Sequence, residues 1–177
     1  MLQSFAPTSS TRTYEGGGSV GSRARVAIEI AKAIAIEIGG DRSACGLSPG
    51  TSLWGIDEGT EGPDLYRYLV AELNKLGLAY VHIMHQGNEP LLADIRSLWS
   101  GALILNRPGR LRDQIGMDIT SGLADLEAYG AMVLANPDFV ERLKTNASMN
   151  EPKQEGYFGG NEKYYIDYPT LNDDFSN

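Results

Sequence analysis

Cysteine is nearly absent from this chain. Cys45 is its only one, which excludes an internal disulfide framework and suits a reducing compartment. Basic side chains are outnumbered: 15 Lys and Arg stand against 23 Asp and Glu, a net charge of −8. A phosphate backbone or an anionic membrane is repelled by such a surface, so neither nucleic acid nor membrane is an expected partner. No apolar run approaches the ~20 residues of a membrane span, and no apolar stretch follows a basic start as in a secretion signal. The expectation is a cytoplasmic protein, and Asn146-Ala-Ser148 is then a chance match to a glycosylation sequon. Histidine is scarce too. His82 and His85 with Glu89 make an incomplete ligand set at a spacing that fits no metal site, so no metal is expected.

What is present is ordinary for a globular chain. Hydrophobic residues make up 42% and charged residues 21% of 177, enough for one domain over 1–177 with a sizeable core. Residues 1–19 read as a flexible, Ser-, Thr- and Gly-rich entry, with Phe5, Pro7 and Tyr14 as landmarks. Gly16-Gly-Gly-Ser-Val-Gly21 looks like a phosphate loop, but no strand precedes it and no Gly-Lys-Ser/Thr follows. Ser19 is a candidate N-cap for a helix over 20–38. In that helix Ala27, Ile30, Ala31, Ile34 and Ile38 share a face, and Gly39-Gly40 stops it. Ser43–Ser48 is a short strand, broken at Pro49.

A Gly-rich loop with Trp54, Asp57 and Glu58 comes next and reads as a solvated acidic loop or a pocket lining. Pro63–Leu76 is a helix with Leu65, Leu69 and Leu73 at spacings of four, stopped by Gly77. Leu78–Met84 is a strand, apolar apart from His82, which reads as a satisfied strand histidine; His85 at the strand end is a functional candidate. Pro90–Trp99 is a helix, Gly101–Asn106 a strand, and 110–122 a helix. The last strand ends in Tyr129-Gly130. An apolar turn follows, and Asn136-Pro137-Asp138-Phe139 opens a helix to about Leu143. Residues 147–177 form an irregular tail.

Strand and helix thus alternate four times, and near-continuous apolar strands argue for a parallel sheet covered by helices. The fold class is α/β. Catalytic and binding groups belong at the C-terminal ends of the strands, here Ser48-Pro49, Met84-His85, Asn106-Arg107 and Tyr129-Gly130. A closed barrel requires eight strands and about 250 residues. Four strands make a half TIM-type β/α barrel whose inner face and two edges lack cover, so the expectation is a homo-oligomer or a complementary N-terminal half.

Several stretches then carry a resemblance. Arg12-Thr13, Gly17-Gly-Ser-Val20 and Arg23-Ala-Arg25 are similar to one family's entry to its fifth strand. Asp41-Arg42 and Leu47-Ser-Pro49 match that strand, and Tyr68–His82 matches the helix and strand after it. Ala135-Asn-Pro-Asp138 and the tail Tyr157-Phe-Gly-Gly160 with Tyr164-Tyr-Ile-Asp-Tyr-Pro169 are the most specific pieces. Together they resemble the C-terminal half of the old yellow enzyme family, FMN-dependent NAD(P)H ene-reductases. The resemblance implies an FMN cofactor, NAD(P)H as reductant and a small activated alkene as substrate. It places Asn106, Arg107, Tyr129, Gly130 and Ala131 on the cofactor side and Tyr165 near the substrate. Arg107 is either a phosphate contact or a solvent-facing loop arginine, and Tyr165 either a pocket residue or a core tyrosine.

Departures fall on the chemistry. The family's substrate-anchoring His/Asn pair and its proton-donating Tyr lie upstream of the matched half, so no catalytic residue is assigned. Gly46 stands where the family carries an Arg beside the flavin N1/O2 edge, and Gly130-Ala131 where it has a phosphate-binding Gly-Arg. Gly21-Ser22 replaces its Glu-Asn, and Gly16 its aromatic. The expectation is therefore that the chain holds FMN weakly or not at all. The alternative functions are a flavin-free isomerase or cyclase and a non-catalytic partner subunit.

Overall fold

A computed structural model describes residues 18–52, 56–159 and 161–173. The expectations for Arg12, Thr13, Gly16, Gly17 and Trp54 fall outside these residues, as does most of the expected entry. The described chain divides into two compact units, one ending at Ala128 and one beginning at Tyr129.

In the first unit α1 (Val20–Ile38) starts where Ser19 Oγ accepts from the Ser22 amide at 3.3 Å and ends at Gly39, whose φ of 96° favours glycine. β1 (Ala44–Leu47) follows, then α2 (Gly62–Leu73), opened by Pro63 and tightened into a 3-10 turn over Asn74–Leu76. β2 (Tyr80–Met84), α3 (Glu89–Leu98), β3 (Ala102–Asn106), α4 (Met117–Thr120) and β4 (Leu126–Ala128) complete it. Asn88 caps α3 by accepting from the Leu91 amide at 3.1 Å. The strands form one parallel sheet in the order β1-β2-β3-β4, which is the four-stranded β/α architecture expected. No helix among the described residues is long and apolar enough to cross a membrane.

Side-chain alternation divides the sheet into two faces. Val81, Ile83, Leu103 and Leu105 are at most 1% exposed and join Ala24, Ala27, Leu65, Leu69, Leu73, Leu92 and Ile95 of α1, α2 and α3 in one core. The opposite face has a different fate. The row Gly46–His82–Ile104–Leu126 runs across it in register. Gly46 and Leu126 are exposed, His82 and Ile104 half-buried. The strands are apolar on both faces, as read, but only one face is covered in full.

Two expectations need correction. The helix over 110–122 is a 3-10 turn at Arg112–Gln114 and the four-residue α4; Gly116, at φ 83°, breaks the run. The expected apolar face of α1 is core only in part, through Ala27 and Ala31. Arg23, Ala24 and Ala27 are buried, whereas Ile30 is 40% and Ile34 45% exposed, because the helix meets α2 through small residues. A Cβ on Gly21 would touch the Tyr68 ring, with Tyr68 Oη at 3.7 Å.

The second unit holds α5 (Ala131–Ala135) and α6 (Phe139–Lys144). The apolar turn expected after Gly130 is α5 itself, and Asp138 rather than Asn136 precedes α6. Asn136 and Arg142 are at most 1% exposed. Asn136 accepts from the Asn150 amide at 2.8 Å and donates to the Met132 carbonyl at 2.8 Å. Arg142 donates to Asp138 Oδ1 at 2.5 Å, to the Ser148 carbonyl at 2.6 Å and to the Pro169 carbonyl at 2.9 Å. Asp138 Oδ2 accepts from the Leu171 amide at 2.7 Å. The Asn136-Pro-Asp138 motif therefore ties down the tail: buried backbone groups find partners that an irregular segment cannot supply itself.

Candidate functional site

The C-terminal ends of β2, β3 and β4 gather six ionisable side chains in the first unit. β2 runs into His85, whose amide donates to the Asn106 carbonyl at 2.8 Å, and Asn106 Nδ2 donates to the Ala128 carbonyl at 2.7 Å. The three strand ends are thereby fixed to one another. Glu89 is the first residue of α3, and its Oε1 lies 2.9 Å from His85 Nε2.

Arg107, the first residue past β3, donates to Glu89 through Nη1 at 2.6 Å and Nη2 at 3.0 Å. It also reaches Asp118 through Nε at 2.9 Å and Nη2 at 3.0 Å. Arg110 pairs with Asp118 and with Glu127 Oε1 at 2.5 Å. Glu127 accepts further from the Gly116 and Asp118 amides at 2.6 and 2.9 Å. Glu127 lies in the middle of β4, opposite Leu105 on the helix-covered face. A charge buried there requires a partner and hydrogen bonds, and Arg110 with the α4 amides supplies them.

The arginines of the cluster are engaged by its own carboxylates. Every guanidinium nitrogen of Arg107 donates to a carboxylate. Arg107 and Glu89 act on each other's acidity: hydrogen bonds from Arg107 first, and from His85, pull the Glu89 carboxyl down to about 2. The hydrogen bonds to Glu89 and then Asp118 push the Arg107 guanidinium up. A cavity of about 230 Å3 opens beside them, lined by His85, Gly87, Arg107, Gly109, Arg110 and Gln114. Among the described residues no group of His, Cys, Asp and Glu is placed to hold a metal ion.

A second cluster lies at the end of β1. Glu58 is 9% exposed, accepts from Tyr66 Oη at 2.6 Å and from the Gly50 amide at 2.8 Å, and its carbonyl accepts from Arg23 at 3.2 Å. It is a buried structural acid, not a solvated one, and burial followed by the Glu58 contact raises the Tyr66 hydroxyl's pKa. Asp57 lines a neighbouring cavity of about 240 Å3 with Pro49, Gly50 and Asn88.

The remaining candidates are placed as follows. A Cβ built on Gly46 would meet nothing within 4 Å. In the second unit Gly130 opens α5 and Ala131 begins it. The Tyr129 ring packs 5.6 Å from Phe139, and Tyr165 is 55% exposed, which does not make it a core tyrosine. The sequence reading missed Arg110, Asp118 and Glu127. The signal was Glu127 itself, a charge inside an otherwise apolar strand. His82 is not the satisfied strand histidine expected, since its Nε2 is buried without a hydrogen-bond partner.

Comparison with known proteins bears on this geometry. The sequence pattern of the NADH:flavin oxidoreductase / NADH oxidase family matches residues 1–150. The chain is 32% identical over 171 residues to 12-oxophytodienoate reductase 2 of Arabidopsis thaliana, covering 90% of this chain and 45% of that one. It is 31% identical to a probable flavin mononucleotide-dependent alkene reductase of Leishmania infantum, covering 97% and 48%. Among solved structures, morphinone reductase in complex with tetrahydroNAD superposes with a TM-score of 0.87 at 30% identity, over 100% of this chain and 49% of that chain. The old yellow enzyme from Trypanosoma cruzi superposes at 0.85 with 27% identity, over 97% and 47%. The chain spans about half the length of the relatives it matches.

Proposed function

Because the chain belongs to the NADH:flavin oxidoreductase / NADH oxidase family, we propose that it is the C-terminal half of an old-yellow-enzyme-type reductase of activated alkenes, with a weakened grip on its cofactor. FMN, if bound, would supply the hydride chemistry that links NAD(P)H to an alkene. The resemblance implies Asn106 and Arg107 in the first unit, and Tyr129, Gly130 and Ala131 in the second, as cofactor residues and Tyr165 as a substrate residue.

One observation carries the reading of a weakened grip: Arg107 is already held by Glu89 and Asp118. The residues present do not fit a flavin phosphate. Arg107, Arg110, Glu89, Asp118 and Glu127 sum to one excess negative charge with His85 neutral, and an arriving dianion meets carboxylates that already hold the donors. Gly46 and Ala131 bring no charge of their own. Each missing charge-assisted contact is worth about 1.5–3 kcal/mol, so the loss of two weakens FMN by about two to four orders of magnitude.

Titration of the purified chain with FMN, followed by flavin absorption and fluorescence, tests this. Binding weaker than micromolar is expected; a yellow, near-stoichiometric complex surviving purification would overturn it. The His85–Glu89 pair beside the strand-end cavity supports a second reading, a flavin-free isomerase or cyclase working by acid/base transfer. Turnover of an enone that needs neither FMN nor NAD(P)H, and is lost in His85→Ala, would favour that reading.

A further inference from the structure

On the acid/base reading rather than the flavin one, we propose that His85 takes a proton through Nδ1 from a small, uncharged carbonyl compound held in the cavity beside it. This role for His85, which rests on that reading, begins with a tautomer. Glu89 Oε1 lies 2.9 Å from His85 Nε2. Hydrogen bonds from Arg107 to both Glu89 oxygens keep that carboxyl ionised, its pKa held at about 2. An ionised carboxylate can only accept. Nε2 therefore carries the ring proton, and in the neutral imidazole Nδ1 is left with its lone pair.

Nδ1 is placed to act. The His85 side chain is 5% exposed and lines the cavity of about 230 Å3. Among the described residues Glu89 is its one hydrogen-bond partner. Nδ1 is thus unpartnered, but unlike His82 Nε2 it is not sealed in protein. One wall of the cavity is the turn from Arg107 to Arg110, closed by the Arg110 amide on the Arg107 carbonyl at 3.2 Å. Gln114 lines the cavity as well. Its Oε1 accepts from the Leu111 amide at 3.3 Å, which leaves its Nε2 as a free donor.

Size and charge select the ligand. A cavity of that volume falls below the roughly 300–1,000 Å3 of a drug-sized pocket, so it has no room for a flavin or a nicotinamide dinucleotide. The surrounding groups carry one excess negative charge, which disfavours an anion. A free acceptor and a free donor complement a carbonyl with an adjacent acidic hydrogen. His85 Nδ1 takes that hydrogen as a proton, and the C–H electron pair moves into an enolate whose oxygen accepts from Gln114 Nε2. The imidazolium that forms lies against the Glu89 carboxylate, which stabilises it. In a β,γ-unsaturated ketone the proton returns to the γ carbon and the double bond moves into conjugation. One proton has changed carbon, and no electrons leave the substrate.

NMR of the ring nitrogens in the histidine-labelled full chain, read where the ring is neutral, tests the tautomer: Nδ1 is expected bare and Nε2 protonated. A β,γ-unsaturated cyclohexenone is the substrate probe, with neither FMN nor NAD(P)H added, and its conversion to the conjugated isomer is followed by ultraviolet absorption. Catalysis is expected to fall about 100-fold or more in His85→Gln, which can still donate to Glu89 but takes no proton. Gln114→Leu, at an exposed position, is expected to lower kcat/KM roughly 10- to 100-fold. A proton on Nδ1, no isomerisation by the wild type, or full activity in His85→Gln each overturns the proposal. Cofactor-free enone turnover that is lost in His85→Ala while Nδ1 carries the proton leaves the acid/base reading standing and removes the Nδ1 assignment alone. Turnover that requires FMN removes the acid/base reading itself.

Discussion

Arg107 grips Glu89 with both terminal nitrogens, at 2.6 and 3.0 Å, while its Nε and Nη2 hold Asp118. The guanidinium at the β3 end is thereby a strut between α3 and α4 rather than an open anion site. Helix and loop are joined by charge-assisted hydrogen bonds that a bound phosphate would have to replace.

Arg107→Ala is therefore expected to cost stability. Hydrogen bonds to charged groups are worth about 1.5–3 kcal/mol, and a loss in that range should appear in urea unfolding. Affinity for inorganic phosphate should stay unchanged. Weaker phosphate binding without a stability change would restore the open-anion reading of Arg107.

Glu89 sets a pH window. Its folded pKa is held at about 2, against an ordinary value of 4.5. A carboxyl depressed in the folded state contributes stability fully above its unfolded value and loses it as pH falls through the folded one. The wild-type chain should thus lose stability between about pH 4.5 and 2, and Glu89→Gln should flatten that part of the curve. Glu89 is more than half exposed, so the amplitude will be screened by salt. Superimposable wild-type and variant profiles would contradict the assignment.

Asn136 holds the tail. In Asn136→Ala the Asn150 amide loses its acceptor inside the protein, at a cost of about 1–3 kcal/mol. Hydrogen exchange over 148–171 should quicken while the sheet amides of the first unit stay protected. Equal acceleration in both units would show that Asn136 supports the whole chain instead.

Gly46→Arg should be tolerated, since Gly46 is exposed and a Cβ there meets no atom within 4 Å. Under the proposed function it returns one charge-assisted contact, about 1.5–3 kcal/mol or roughly one to two orders of magnitude in FMN affinity. FMN titration of wild type and variant side by side checks it. No gain, with the fold intact, would place the flavin away from β1.

The sequence by itself determined the order of elements and the parallel sheet. Those follow from local chemistry: Ser19 as a cap, Pro63 at a helix start, Gly39 and Gly77 as stops, and unbroken apolar strands. It also carried the family, because Ala135-Asn-Pro-Asp138 and the tyrosine-rich tail can be read residue by residue. What Arg107 does could not be read that way. Its partners Glu89 and Asp118 lie 18 and 11 positions away, and only strand pairing and the turn at Gly116 bring them to it. The apolar face of α1 was legible as a face, but which of its residues are covered, Ala27 and not Ile34, depends on where the neighbouring elements pack. Periodicity records that a face is apolar; the packing of neighbouring elements decides what covers it.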